Sequence, residues 1–194
     1  MAPRRRGVVE TVVKVGGGLL RVPGAVDRLA TALGALDPVP SIVVVPGGGP
    51  FTDAVREASA RAALPDDAAH WIAILGMDQY AYLLAARVRG ARLVWRAAHV
   101  RAALAARCIP VLAPYGWLRR VDPLPHSWDV TSDSIAAWLA GELGARRLVL
   151  VKPAAMALAD AVDGHFACAL PAGVQVWVVG APDVERLGSV LRRQ

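Results

Sequence analysis

The sequence predicts an α/β fold, a three-layer αβα sandwich around a mainly parallel central sheet, as a single domain over residues 1–194. Three observations carry this. Short, β-branched apolar runs such as "TVVKV", "SIVVVP" and "RRLVLVK" alternate with segments of helical period. The runs are apolar throughout rather than alternating, as strands covered on both faces require. Glycine triplets at 16–18 and 47–49 close two of them, where a strand turns toward a helix. With 55% hydrophobic residues in 194, there is enough apolar surface for one core. No repeat or linker divides the chain.

Taken in order, residues 8–15 read as the first strand. In 24–36, Val26, Leu29, Leu33 and Leu36 fall at helical spacing. Residues 41–46 are the second strand, and "TDAVREASARAA" follows the second triplet as a helix with Thr52 as its N-cap. Residues 66–88 form a longer helix with Asp66 near its start and an apolar face of Trp71, Ile74, Leu75, Tyr82 and Ala85. "RLVWRA" is a strand, "HVRAALAAR" a helix and "IPVLAP" a strand. The Pro-rich "YGWLRRVDPLPHSWDV" reads as a loop, long enough to suggest a functional one. "TSDSIAAWLAGEL" is a helix capped by Thr131 or Ser132. "RRLVLVK" and "VQVWVVG" are strands, and "APDVERLGSVLRR" is a closing helix. Six or seven strands result. Residues 153–171 fit neither period.

Composition narrows the function classes. No apolar run reaches about 18 residues, so no membrane-spanning helix is expected. The start of the sequence has no apolar h-region, so a cytoplasmic protein is expected. Cys108 and Cys168 lie far apart without metal-type spacing and are expected to be free thiols. The net charge of +6 would suit a nucleic-acid binder. Beyond Arg4–Arg6, read as a solvated tail, the arginines are scattered, and aromatic residues are not interleaved with them. A small phosphate-bearing ligand fits this charge better than nucleic acid.

In parallel sheets, ligands bind beyond the carboxyl ends of the strands, where both glycine triplets fall. Glycine lets the backbone approach a phosphate, and a helix N-terminus adds N–H donors. Two such turns can hold a donor phosphate and an acceptor. Neither matches the dinucleotide fingerprint or the P-loop. Lys14 precedes Gly16 by two residues, which along a strand returns to the same face. Its ammonium can therefore lie over the glycine turn, although a strand-end lysine snorkelling to solvent has the same pattern. Lys14 and Lys152 are the only lysines among 22 basic residues, and both end apolar strands. A compact ammonium retained against so strong an arginine preference points to a specific need. Asp133 is the only charged residue between Thr131 and Gly141, in the first turn of an apolar helix. It fits a dipole-stabilising carboxylate or, if buried, the partner of the two lysines. His126 and Asp129 can reach the same region from the loop. Two lysines, an aspartate and two glycine turns are what phosphoryl transfer needs, since it depends on positioning and cationic stabilisation.

With these residues the sequence resembles the amino acid kinase family, which includes acetylglutamate, carbamate, uridylate and isopentenyl phosphate kinases. "VVKVGGGLL", "IVVVPGGGPFTDAVRE" and "WDVTSDSIAAWLA" stand in the family's order and spacing. The resemblance implies ATP with Mg²⁺ as donor and a homodimer or higher homo-oligomer; it leaves the metal ligands open. It implies that Lys14 contacts the transferring phosphoryl group, that Gly16, Gly17 and Gly18 form the first phosphate loop with Thr131 and Ser132 beside it, and that Asp133 organises the catalytic lysines. Gly47, Gly48 and Gly49, with Met77 and Asp129, are then the acceptor side; Gln79 and Tyr80 lie near Met77 in sequence. The pattern is most similar to the family's small branch tied to methanofuran and methylofuran assembly, whose acceptor is an aminomethylfuran-methyl phosphate in one-carbon cofactor biosynthesis. A uridylate or isopentenyl phosphate kinase, or a non-catalytic nucleotide or oxyanion binder of the same fold, is the alternative. Two departures stand out. Lys152 and Pro153 occupy the place of the Thr-Asp of a "TDVDG"-like stretch, and the usual downstream second lysine is missing. Lys152 either substitutes for that lysine or marks a different nucleotide site.

Overall fold

Valine-rich runs with no polar face need cover on both sides, and the computed structural model, which describes residues 9–192, provides it. Six strands, β1 (Thr11–Val15), β2 (Ile42–Pro46), β3 (Ala91–Val94), β4 (Ile109–Leu112), β5 (Arg147–Lys152) and β6 (Gln175–Gly180), pair in the order β3-β4-β2-β1-β5-β6. Every pairing is parallel. The sheet is therefore wholly parallel, with six strands. Residue 8 and Arg4–Arg6 lie outside the described residues.

Between the strands run helices α1 (Ala25–Gly34), α2 (Gly49–Ala62), α3 (Asp66–Arg87), α4 (Ala97–Ala105), α5 (Tyr115–Val121), α6 (Ser132–Glu142), α7 (Leu158–Ala161), α8 (Phe166–Ala169) and α9 (Leu187–Arg192). Two apolar layers form. On one face of the sheet Val13, Val15, Val44 and Val151 pack with Leu29 and Leu33 of α1 and Leu187 of α9. On the other, Val12, Val45, Leu148 and Leu150 pack with Val100 of α4, Leu118 of α5 and Ile135 and Leu139 of α6. Helix α3 serves both, through Tyr80 and Leu84 in the first and Ile74 and Met77 in the second. Among the described residues no helix is long and apolar enough to cross a membrane. Cys108 and Cys168 are free.

Four expectations are corrected. Leu75 and Tyr82, read as part of the apolar face of the 66–88 helix with Ile74, are instead exposed on the side away from it. The segment read as one long loop begins with α5, a helix of seven residues. Thr52 does not cap α2; that helix starts at Gly49, and the Thr52 hydroxyl donates to Ala73 O of α3 at 3.1 Å. The closing helix is split into a 3₁₀ segment over Ala181–Arg186 and α9. The undecided stretch 153–171 holds the one-turn helices α7 and α8.

The chain leaves the neighbouring strands β1 and β5 in opposite directions, toward β2 and toward β6. From β1 it steps to β2 by way of α1 on one face; from β4 it crosses to β5 by way of α6 on the other. Such a switch point opens a crevice at the carboxyl ends of the central strands.

Candidate active site

Register puts the two lysines together. Lys14 of β1 stands opposite Leu150 of β5, so Lys152 lies one period-2 step further along on the same face. That face carries α6, whose first turn holds Asp133. Lys14 Nζ is 2.8 Å from Asp133 Oδ1, and Lys152 Nζ donates to both Asp133 oxygens at 2.9 Å. All three are buried, with exposures of 3%, 6% and 9% for Lys14, Asp133 and Lys152. They are the charged members of the buried core among the described residues. Two ammonium groups share one carboxylate, leaving one net positive charge under an open cleft. Burial lowers the Lys14 pKa from its ordinary value; Asp133 opposes this, and Lys152 adds to it. An anion bound above the trio would relieve that cost.

The glycine turns meet directly over it. The backbone of Gly17 lies against that of Gly49, so a Cβ on Gly17 would collide with the Gly49 nitrogen. Gly49 adopts φ +55°, which a side chain would strain. Gly47 N donates to Val15 O at 2.7 Å and Gly16 N to Val151 O at 2.8 Å, which ties both turns to the strand ends. The result is a cleft of ≈ 310 Å³, within the usual range for a small-molecule site. Its floor on one side is Lys14, Gly16, Gly17, Gly18 and Lys152; on the other it is Ala69, Ala73, Ile74 and Met77 of α3. Arg21, Asp53, Arg56, Asp66, His70 and Trp128 rim it. Arg21 pairs with Asp53, and the Arg56 guanidinium lies 4.8 Å above the Trp128 ring.

Most residues singled out from the sequence line this cleft: Lys14, Gly16, Gly17, Gly18, Gly48, Gly49, Met77, Thr131, Ser132 and Lys152. Others do not. Asp129 is exposed and outside the cleft, because its loop turns its backbone N–H onto Ser127 Oγ. Gly47 is buried behind the turn. Gln79 is exposed, and Tyr80 is fully buried with no partner for its hydroxyl. His126 is held away from the lysines by Asp67 and Asp122.

Sequence reasoning missed Asp163. Thr131 caps α6 by accepting from Asp133 N at 3.3 Å, and its own hydroxyl donates to Asp163 Oδ2 at 2.6 Å. Asp163 also accepts from Thr131 N at 3.0 Å, Ser134 N at 3.1 Å and the Ser134 hydroxyl. Burial pushes the Asp163 carboxyl up, but the hydrogen bonds from Ser134 and Thr131 outweigh it and hold its pKa below the ordinary value. Asp163 thus fixes the turn that carries Asp133. The available signal was the Asp163-Gly164 pair, a turn dipeptide between apolar segments.

The sequence profile of the amino acid kinase family matches residues 10–154. The chain belongs to the amino acid kinase family. Within it, the chain is 27% identical over 149 residues to the [5-(aminomethyl)furan-3-yl]methyl phosphate kinase of Methanocaldococcus jannaschii, covering 77% of this chain and 64% of that protein. Its fold is similar to the uridylate kinase of Archaeoglobus fulgidus (TM-score 0.56, 17% identity, 75% of this chain and 63% of that one). It is also similar to the UMP kinase of Bacillus anthracis (TM-score 0.58, 16% identity, 75% and 65%). The chain therefore spans slightly under two thirds of each of these relatives.

Proposed function

We propose that this amino acid kinase family member is an ATP-dependent kinase that phosphorylates a small phosphate monoester, with an aminomethylfuran-methyl phosphate of methylofuran-type one-carbon cofactor biosynthesis as the leading acceptor. The observation that carries the reading is the buried Lys14–Asp133–Lys152 trio, with its uncompensated positive charge beneath two touching glycine turns. The named relative in Methanocaldococcus jannaschii supports the acceptor class. We place the protein in the cytoplasm, as a homo-oligomer.

The residues present fit a polyphosphate. Gly16, Gly17 and Gly18 leave the backbone bare toward the cleft, and Ser132 at the start of α6 adds a hydroxyl. Lys14 and Lys152 stabilise the charge that spreads over the equatorial oxygens during transfer. Asp133 holds both ammonium groups in place, so neither has to reorganise as the reaction proceeds. The bond formed joins an acceptor phosphate oxygen to the terminal phosphorus of ATP; the bond broken is the bridge to ADP. That acceptor oxygen is already ionised near neutral pH, since a phosphate monoester has its second pKa near ~6. The chain therefore needs no general base. Mg²⁺ would neutralise phosphate charge; because the lysines occupy Asp133, it would be held chiefly by phosphate oxygens and water. Around the acceptor, Ala73, Ile74 and Met77 offer an apolar bed, with Trp128 and Arg56 at the rim.

The test is ADP release from Mg-ATP with a panel of monoesters: the aminomethylfuran phosphate, UMP and isopentenyl phosphate. Release with the furan compound is the expected result, and Lys14→Ala should abolish it in a folded protein. ATP binding with no release across the panel would instead establish a non-catalytic binder.

A further inference from the structure

A second cluster of ligating side chains lies at the rim of the cleft and takes no part in the reading above. His70 of α3, Asp122 at the end of α5 and His126 in the following loop each offer a ligand atom, and these atoms lie within 4.8 Å of one another. His126 is clamped at both ring nitrogens. Nδ1 faces Asp67 Oδ1, and Nε2 stands 2.8 Å from Asp122 Oδ1. With Nδ1–H donated to Asp67, the Nε2 lone pair points at a carboxylate oxygen. A cation must lie between them, either a second proton or a metal ion. The His70 ring stacks on His126, with centroids 4.1 Å apart and planes 21° from parallel. Trp71 packs edge-on against both rings.

We propose that His70, His126 and Asp122 form a divalent transition-metal site of the zinc class, with Asp67 orienting His126 from behind. The donor set is the right one: two imidazoles and a carboxylate suit zinc, nickel or copper and are a poor match for magnesium or calcium. The Asp67–His126 contact is the carboxylate–histidine arrangement that fixes the tautomer of a metal-bound imidazole. Donor atoms around a zinc ion lie roughly 3.3 Å apart, given bonds of about 2.0–2.1 Å. The 2.8 Å pair is already near that edge, and closure of the triangle falls to His70 turning off its stack. The site joins the middle of a loop to a core helix. That loop, 122–130, delivers Ser127, Trp128 and Val130 to the acceptor side of the cleft. A bound ion would therefore fasten the wall against which the acceptor lies.

The test needs no turnover and so stands apart from the kinase reading. Chelator-stripped full-length protein is titrated with Zn²⁺ by calorimetry and with Co²⁺ by visible absorption. One ion per chain is expected, with the intense d–d bands of a low-coordinate cobalt site. His126→Gln and His70→Gln should each weaken binding at least tenfold. Asp67→Asn should weaken it by about 10–100-fold, as loss of an orienting carboxylate does. His99→Gln, on α4, should leave it unchanged. Amide hydrogen exchange in 122–130 should slow with Zn²⁺ in the wild type and not in His126→Gln. Absence of one-per-chain binding, or binding that survives both His70→Gln and His126→Gln in folded proteins, overturns the proposal and leaves a doubly protonated histidine between two carboxylates.

Discussion

At the scale of single residues, the charge count around Asp133 governs stability. Removing one partner of a buried ion pair costs about 3–5 kcal/mol, because the survivor stays buried without compensation. Asp133→Asn leaves two adjacent ammonium groups, whereas Lys14→Met leaves a balanced Lys152–Asp133 pair. Asp133→Asn should therefore be destabilising by several kcal/mol in urea unfolding, and Lys14→Met by clearly less. The pH dependence has a definite sign. Loss of Asp133 removes the one partner that raises the Lys14 pKa against burial, by its charge and by its hydrogen bond. The native state then binds fewer protons than the unfolded chain, so the stability of this variant should rise with pH toward the ordinary lysine range. Equal destabilisation by the two substitutions would contradict the shared-carboxylate geometry. The trio was legible in the sequence because lysine is so scarce and because both lysines end apolar strands. Asp129 lies outside the cleft, since sequence distance to Asp133 says nothing about which way a loop turns.

At the scale of elements, helix α5 shows what local sequence cannot report. Its residues run straight into Pro123 and Pro125, so the stretch reads as loop. Its N-terminus is secured from elsewhere: the Tyr115 N–H donates to Asp78 Oδ1 of α3 at 3.0 Å. Asp163, capping α6 from 29 to 32 residues downstream, is a second non-local support. Asp78 carries a cost that can be measured. Burial raises its pKa to about 6, despite the Tyr115 hydrogen bond that lowers it. The native state thus holds this proton more tightly than the unfolded chain. The associated stability is full below about pH 4 and is lost as pH rises through about 6. Asp78→Asn keeps an acceptor for Tyr115 and removes the buried charge. Its melting temperature should exceed that of the wild type at pH 8 and converge with it near pH 4. The gain should be of order 1–2 kcal/mol, after discounting the pKa difference for partial solvent contact. A constant offset at every pH would mean that the charge of Asp78 is not the cause.

At the scale of the whole molecule, alternation of strand and helix made the parallel sheet legible, and the glycine triplets marked the edge where the cleft opens. Strand order was not legible, since nothing in β1 itself says that it lies between β2 and β5. Helix α3 gives a further consequence of assembly. Its buried side carries Ile74, Met77, Tyr80, Ala81 and Leu84. Its opposite side exposes Ile72, Leu75 and Tyr82 at 42%, 40% and 59%, spaced as one helical stripe. A helix apolar on both sides is ordinarily covered on both. The homo-oligomer proposed above would cover this stripe by pairing α3 with its copy, a self-complementary arrangement that two-fold symmetry provides. Light scattering coupled to size exclusion should then give a dimer or larger for the wild type. Leu75→Glu combined with Tyr82→Glu should shift the protein to monomer while leaving its circular dichroism unchanged, because neither side chain enters the core. A wild-type monomer at micromolar concentration, or an oligomer indifferent to both charges, would remove α3 as the interface.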